Sequence, residues 1–188
     1  MAQLFSLGAL HVMNISTLVE QIKAKHKSKP LSDADIKGLI QQSGFTLPPS
    51  YLVFLYEFGN GDTIDRGSYQ IFYQDIDAPD NVWDFSRAHP DAPDLIPVEG
   101  GSPVPKSSLF CLMTEDSNGG SWCWLTSEPD ADGEYPLAYY SRGYSGEEDI
   151  GKQLFYRVPN FTTWLDILVR DRHEVIRSLD VDDRLHLG

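Results

Sequence analysis

Closely spaced carboxylates are the first residues of this chain with chemistry to offer. Asp75-x-Asp77-x-x-Asp80 and Asp130-x-Asp132-Gly133-Glu134 each gather hard oxygen donors into one turn, the donor type that calcium and magnesium prefer. Neither run completes the twelve-residue calcium loop, because the bidentate acid at its last position is missing. Both therefore read as solvated turns, and no metal is expected. A nucleophile is equally hard to find. Gly143-Tyr144-Ser145-Gly146 lacks the glycine spacing of a nucleophile elbow, and no plain strand feeds it. No glycine loop is followed by the Lys-Ser or Lys-Thr that would cradle a phosphate. His11, His26, His89, His173 and His186 are scattered and read as surface residues; His173-Glu174 has no second His at i+4. Cys111 and Cys123 lie 12 positions apart in apolar surroundings, without metal-ligand spacing, and two cysteines are too few for a secreted disulfide scaffold. They read as reduced core thiols, with a disulfide or a redox pair as the alternatives. No catalytic residue, no cofactor and no enzymatic activity are expected. A metal-dependent hydrolase built on the acidic turns is the least favoured alternative.

What the carboxylates offer instead is charge. The chain has 188 residues and a formal net charge of −13. The excess is not spread evenly. Residues 62–149 hold 18 carboxylates against Arg66, Arg87, Lys106 and Arg142, whereas residues 1–30 hold four lysines and one glutamate. Phosphate affinity rests on Lys and Arg, so nucleic acid is excluded as a direct ligand. An acidic surface of this kind either aids solubility or meets a basic protein. The residues chosen for such contact are Asp75, Asp77, Asp80, Trp83 and Asp84, with Asp130, Asp132 and Glu134 second. Trp83 stands among Asp80 and Asp84 and is the candidate exposed anchor, since Trp is enriched among binding hot spots. Trp122 and Trp124 fall on one face of a strand and read as core, each indole N–H hydrogen-bonded, with an aromatic platform at a partner surface as the alternative.

The N-terminal apolar residues Leu4, Phe5, Leu7, Leu10 and Val12 lack a preceding basic residue and a small-residue cleavage site. No stretch approaches the roughly 18 apolar residues that span a bilayer. The expectation is a cytoplasmic protein with no membrane partner. Its oligomeric state is left open.

Three helices begin the chain. Thr17 to His26 carries an apolar stripe of Leu18, Val19 and Ile22, with Thr17 and Glu20 as a capping box. Ser32 to Ser43 repeats the device with Ser32 and Asp35, and Gly44 ends it. Pro49 to Phe58 has prolines where the first turn needs no N–H, apolar residues almost all round, and Gly59 to cap it. From there the pattern turns to strands. Tyr69–Tyr73 is the first. Residues 75–101, rich in Asp and proline, read as loop with one helical turn near Val82–Ala88. Leu109–Met113 and Ser121–Leu125 read as a hairpin across the turn Asp116–Gly120. Tyr135–Tyr140 reads as an edge strand because of Pro136. Leu154–Val158 is a last strand or a helix entrance. Asn160 caps a final helix through Val169, containing Trp164, Leu165 and Leu168. Helices, then strands, then a closing helix means α+β: one domain with a mostly antiparallel sheet and helices packed on it. Residues 1–30 read as a helical extension, 31–170 as the domain and 171–188 as a polar helical tail.

Three blocks resemble the SUKH superfamily of Smi/Knr-like proteins. The first is Gly44-Phe-Thr-Leu-Pro-Pro-Ser-Tyr-Leu-Val-Phe-Leu-Tyr-Glu-Phe-Gly-Asn-Gly61. The second is the strand order from Leu109 to Tyr140, ending in Pro-Leu-Ala-Tyr-Tyr. The third is Phe161-Thr-Thr-Trp-Leu-Asp-Ile-Leu. The resemblance implies an α+β domain without catalysis. It implies an immunity protein that binds and neutralises a cognate toxin, often a nuclease, or, as the alternative, an interaction scaffold in cell-wall or signalling control. No binding residue transfers by position, and the insert at 75–107 and the tail after 170 depart from the family pattern.

Overall fold

Prolines and glycine bracket the helix at the centre of the molecule. In a computed structural model, which describes residues 13–24, 28–59, 83–114, 121–141 and 152–171, helix α3 runs Pro49–Glu57 with a proline in its first turn. Phe58 and Gly59 close it by donating to Phe54 O at 2.8 and 3.1 Å. Ser50, Tyr51, Phe54 and Leu55 are buried, while Tyr56 remains exposed. The chain leading into the preceding helix is pinned to the end of α3: Lys29 N donates to Phe58 O and Leu31 N to Leu55 O.

Two further helices pack beside it. Helix α1 (Ile15–Lys23) starts earlier than its pattern suggested, because Asn14 is the cap: its side chain accepts from Thr17 N at 2.9 Å and from the Thr17 hydroxyl at 3.0 Å. Glu20, expected to close a capping box, pairs instead with Lys23 at 2.6 Å. Leu18, Val19 and Ile22 enter the same core as α3 and the final helix. Helix α2 (Asp33–Ser43) keeps the Ser32–Asp35 capping box, with reciprocal bonds between the two residues. Hydrogen bonds from the Ser32 hydroxyl and backbone, and to a lesser degree the Lys29 charge, hold the Asp35 carboxyl below its usual range against slight desolvation. A depressed folded-state value means that the box stabilises above the ordinary carboxylate range and is lost as pH falls through the depressed value. Ser32→Ala is expected to lower stability by about 1 kcal/mol at neutral pH, as helix caps do. The gap from wild type should narrow in acid, which urea unfolding at pH 7 and at about pH 3 would check.

The sheet has five strands in the order β1-β4-β5-β6-β7, all antiparallel: β1 (Trp83–Asp84), β4 (Leu109–Thr114), β5 (Ser121–Leu125), β6 (Leu137–Ser141) and β7 (Gln153–Val158). The expected hairpin is present, with Leu109 opposite Leu125, Phe110 opposite Trp124 and Cys111 opposite Cys123. Past Cys111 the register slips by a bulge, so Met113 faces Trp122. Strand β6 is interior rather than an edge. Pro136 sits just before it and still contributes, because its carbonyl accepts from Leu125 N at 2.9 Å; only its missing N–H would have barred it from a ladder. Two short strands, β2 (Leu95–Ile96) and β3 (Val104–Pro105), pair with each other, the first inside the segment read as loop and the second just beyond it. The helical turn expected there is α4 (Phe85–Ala88). The expected strand at Tyr69–Tyr73, the turn at Asp116–Gly120 and the polar tail lie outside the described residues.

Both faces of the sheet are covered. On one, Leu112, Trp122, Trp124, Leu137, Tyr139 and Phe155 meet α1, α2, α3 and the last helix, α5 (Phe161–Asp171). On the other, Leu109, Cys111, Cys123, Ala138, Tyr140 and Leu154 meet Phe85, Ile96 and Val104. Double coverage explains why every residue of β5 is buried, where a half-exposed strand would alternate. Asn160 caps α5 as expected, accepting from Thr163 N at 2.9 Å. The fold is α+β.

Candidate partner-binding surface

One end of the sheet collects carboxylates. Strand β5 runs out at Leu125, and the connection to β6 carries Glu128, Asp130, Asp132 and Glu134. The turn is held from within. Asp130 N donates to Glu134 O at 2.9 Å and Gly133 N to Asp130 O at 3.2 Å. The Asp130 carboxylate accepts from the backbone N–H of Asp132 and of Glu134, each at 2.9 Å, the self-bonding that makes Asp a turn residue. Gly133 has φ +81°, a conformation that suits glycine.

Glu134 fastens this turn to α3. Its two carboxylate oxygens accept from Ser50 N at 2.6 Å and from the Ser50 hydroxyl at 2.7 Å. Pro48, the cap position of α3, provides no side-chain bond. A carboxylate 84 residues away in sequence therefore takes the place of the cap, at the helix end whose open N–H groups favour an anion. Of the three residues chosen here from the sequence, Glu134 is an anchor, Asp130 shapes the turn, and Asp132 is exposed to solvent with its carboxylate.

The sheet register brings more negative charge to the same end. Asp84 lies opposite Phe110, which lies opposite Trp124, so the end of β1 shares a row with the last residues of β5. Just before β4, Lys106 binds Asp94 at 2.8 Å, and the Asp94 side chain is 91% exposed. That bond holds the Asp94 carboxyl below its usual value. Arg157, next to the end of β7, pairs with Glu128. Asp94, Glu128, Asp130, Asp132 and Glu134 thus lie on segments at this end of the sheet, where Lys106 binds Asp94 and Arg157 binds Glu128. Trp83 and Asp84 form a strand, where the sequence suggested a loop. Asp75, Asp77 and Asp80 lie outside the described residues.

A second constellation was not foreseen. His89, read as a surface residue, is 3% exposed. Its Nε2 lies 2.8 Å from Ser121 Oγ, and its ring packs on Phe85 and Tyr140 with centroids 4.9 and 4.7 Å away. The ring is drawn inside because α4 is only four residues long and delivers Phe85 and His89 to the same patch of sheet. Cys111 and Cys123 lie in this patch as free thiols, Sγ to Sγ 3.5 Å. Burial pushes the Cys111 thiol up, but its neighbours Cys123 and His89 outweigh it and hold it below its ordinary value. Cys123 is pushed up by burial and by its neighbour. The available signal was the hairpin itself: pairing Leu109 with Leu125 puts the two cysteines face to face.

Comparison with protein families now adds to this geometry. The model of the SMI1 / KNR4 family (SUKH-1) matches residues 30–167, most of the chain. The chain belongs to the SMI1 / KNR4 family. The match begins between α1 and α2 and ends within α5, so it contains the Glu134–Ser50 bond, the acidic end of the sheet and the thiol pair of this SUKH-1 member. No curated protein and no solved structure matches the chain. Among the described residues no helix is long and apolar enough to cross a membrane, and no group of three or more His, Cys, Asp or Glu is arranged to hold a metal.

Proposed function

We propose that this SUKH-1 chain is a non-catalytic binding protein that neutralises a basic toxin domain of the nuclease type. The observation that carries the reading is the carboxylate-rich end of the sheet. A nuclease holds its substrate with Lys and Arg, and an acidic surface fixed on a rigid turn is complementary to that groove. Such a surface speeds association by electrostatic steering and covers the groove once docked. The turn is well suited to this because Asp130 and Glu134 are spent on its rigidity, so Asp132 is presented without an ordering cost at binding. The sequence-chosen Asp75, Asp77, Asp80, Trp83 and Asp84 complete the proposed contact set.

The test is protection. The chain is expressed with the protein encoded immediately upstream of it. Cells making that protein alone should die or lose nucleic acid, and cells making both should survive. Survival that does not depend on the chain sinks the reading, and a benign upstream product favours the scaffold role. Asp94→Lys with Asp132→Lys should lower the association rate about tenfold at low salt while leaving the melting temperature within a few degrees. Stopped-flow binding measures the first and calorimetry the second.

A further inference from the structure

We infer that Cys111 and Cys123 are a modification site: a dithiol that a small peroxide converts into a reversible disulfide between β4 and β5. The geometry is already close to that product. The two residues are directly opposite in an antiparallel pair, where Cα atoms are about 4.5–5.5 Å apart, inside the range a disulfide spans. Their sulfurs touch at 3.5 Å. The bulge begins immediately after Cys111, where a ladder yields most readily to a small adjustment.

The surroundings distinguish the two sulfurs. His89 and Ser121 act on Cys111, whose thiol is held below its ordinary value, while Cys123 is held above. Thiolate is the attacking form, so Cys111 reacts first and Cys123 resolves. In the first step the Cys111 thiolate attacks one peroxide oxygen and the O–O bond breaks. Cys111 becomes a sulfenic acid, and the departing hydroxide takes a proton to leave as water. In the second step Cys123 loses its proton and its sulfur attacks that of Cys111. The S–O bond breaks, the S–S bond forms, and a second water leaves. Two electrons pass from the sulfurs to the peroxide. A dithiol reductant reverses the change by two exchange steps.

Both sulfurs are buried, which selects a small oxidant. The cover on this face includes the two-residue strands β2 and β3 and the four-residue α4. Elements this short open at low cost compared with a central strand. The inference rests on the thiol geometry and not on the toxin reading.

The wild-type full chain, kept native, is treated with hydrogen peroxide, quenched, unfolded and alkylated. The expected product is lighter by two hydrogens, resists alkylation at both cysteines, yields a joined peptide carrying Cys111 and Cys123, and reverts with dithiothreitol. Both thiols remaining alkylatable, or oxygen added to either sulfur without a joined peptide, overturns the inference. Two variants test the order. Under peroxide a sulfenic-acid trap should label Cys111 in Cys123→Ala and leave Cys123 unlabelled in Cys111→Ala; the reverse pattern overturns the assignment of Cys111 as the attacking sulfur. Should either variant fail to fold, the wild-type result still decides the site.

Discussion

Trp124→Ala is expected to destabilise the protein by about 3–5 kcal/mol, the range for removing a fully buried large aromatic. Trp124 is wholly buried near the end of β5 and meets Tyr51 edge-on at 4.9 Å and Phe45 at 5.7 Å. Phe45 in turn stacks on Phe110, its rings 4.5 Å apart. The indole joins the sheet to α3 and to the segment that leads into it. The side chain acts by volume: its N–H finds no acceptor among the described residues, contrary to the expectation of a bonded indole. Removing it leaves a cavity that aromatic neighbours cannot fill by small shifts. A domain with about 5–15 kcal/mol in total would lose a large share of its stability. Chemical unfolding followed by far-ultraviolet circular dichroism reads the effect without depending on the deleted fluorophore. A loss under 1 kcal/mol would mean that this part of the core repacks freely.

Gly59→Ala is expected to cost about 3 kcal/mol or more, for a different reason. Gly59 has φ +112°, a conformation that side chains adopt with strain. A Cβ there would stand 1.9 Å from Lys29 O and 2.6 Å from Lys29 C. Both atoms are backbone, and the Lys29 N–H is bonded to Phe58 O. Neither side can move without parting the chain before α2 from the end of α3. Gly44→Ala is the comparison. Gly44 also has positive φ, but nothing lies within 4 Å of its missing Cβ. It should cost only the backbone strain of about 1 kcal/mol. Equal losses in the two variants would show that Gly59 owes its place to conformation and not to close approach.

How much of this was legible beforehand depended on the range of the interactions. Helix α2 was readable to its cap because Ser32 and Asp35 are three residues apart and bond reciprocally. Helix α1 was displaced because Thr17 could have been a cap in its own right, but Asn14 bound it first. The β4–β5 hairpin was readable from two apolar runs. Strand β6 was called an edge on the strength of Pro136, which lies outside the ladder. Strands β2 and β3 are two residues each, too short to show an alternation. At the candidate site, the carboxylates were legible and their division of labour was not. Only the folded chain brings Glu134 to Ser50, so no local pattern marks it as an anchor. His89 was misread because a single histidine carries no periodic signal; its burial follows from the packing of Phe85 and Tyr140.

Binding kinetics between this chain and the purified C-terminal domain of the protein encoded immediately upstream test the central claim most directly. The account predicts a complex whose association rate falls at least tenfold from about 0.01 M to about 1 M salt, as the screening length shrinks from roughly 30 to 3 Å. Asp94→Lys with Asp132→Lys should reproduce much of that fall at low salt. A complex that forms equally fast at both salt concentrations, or no complex at all, would contradict it.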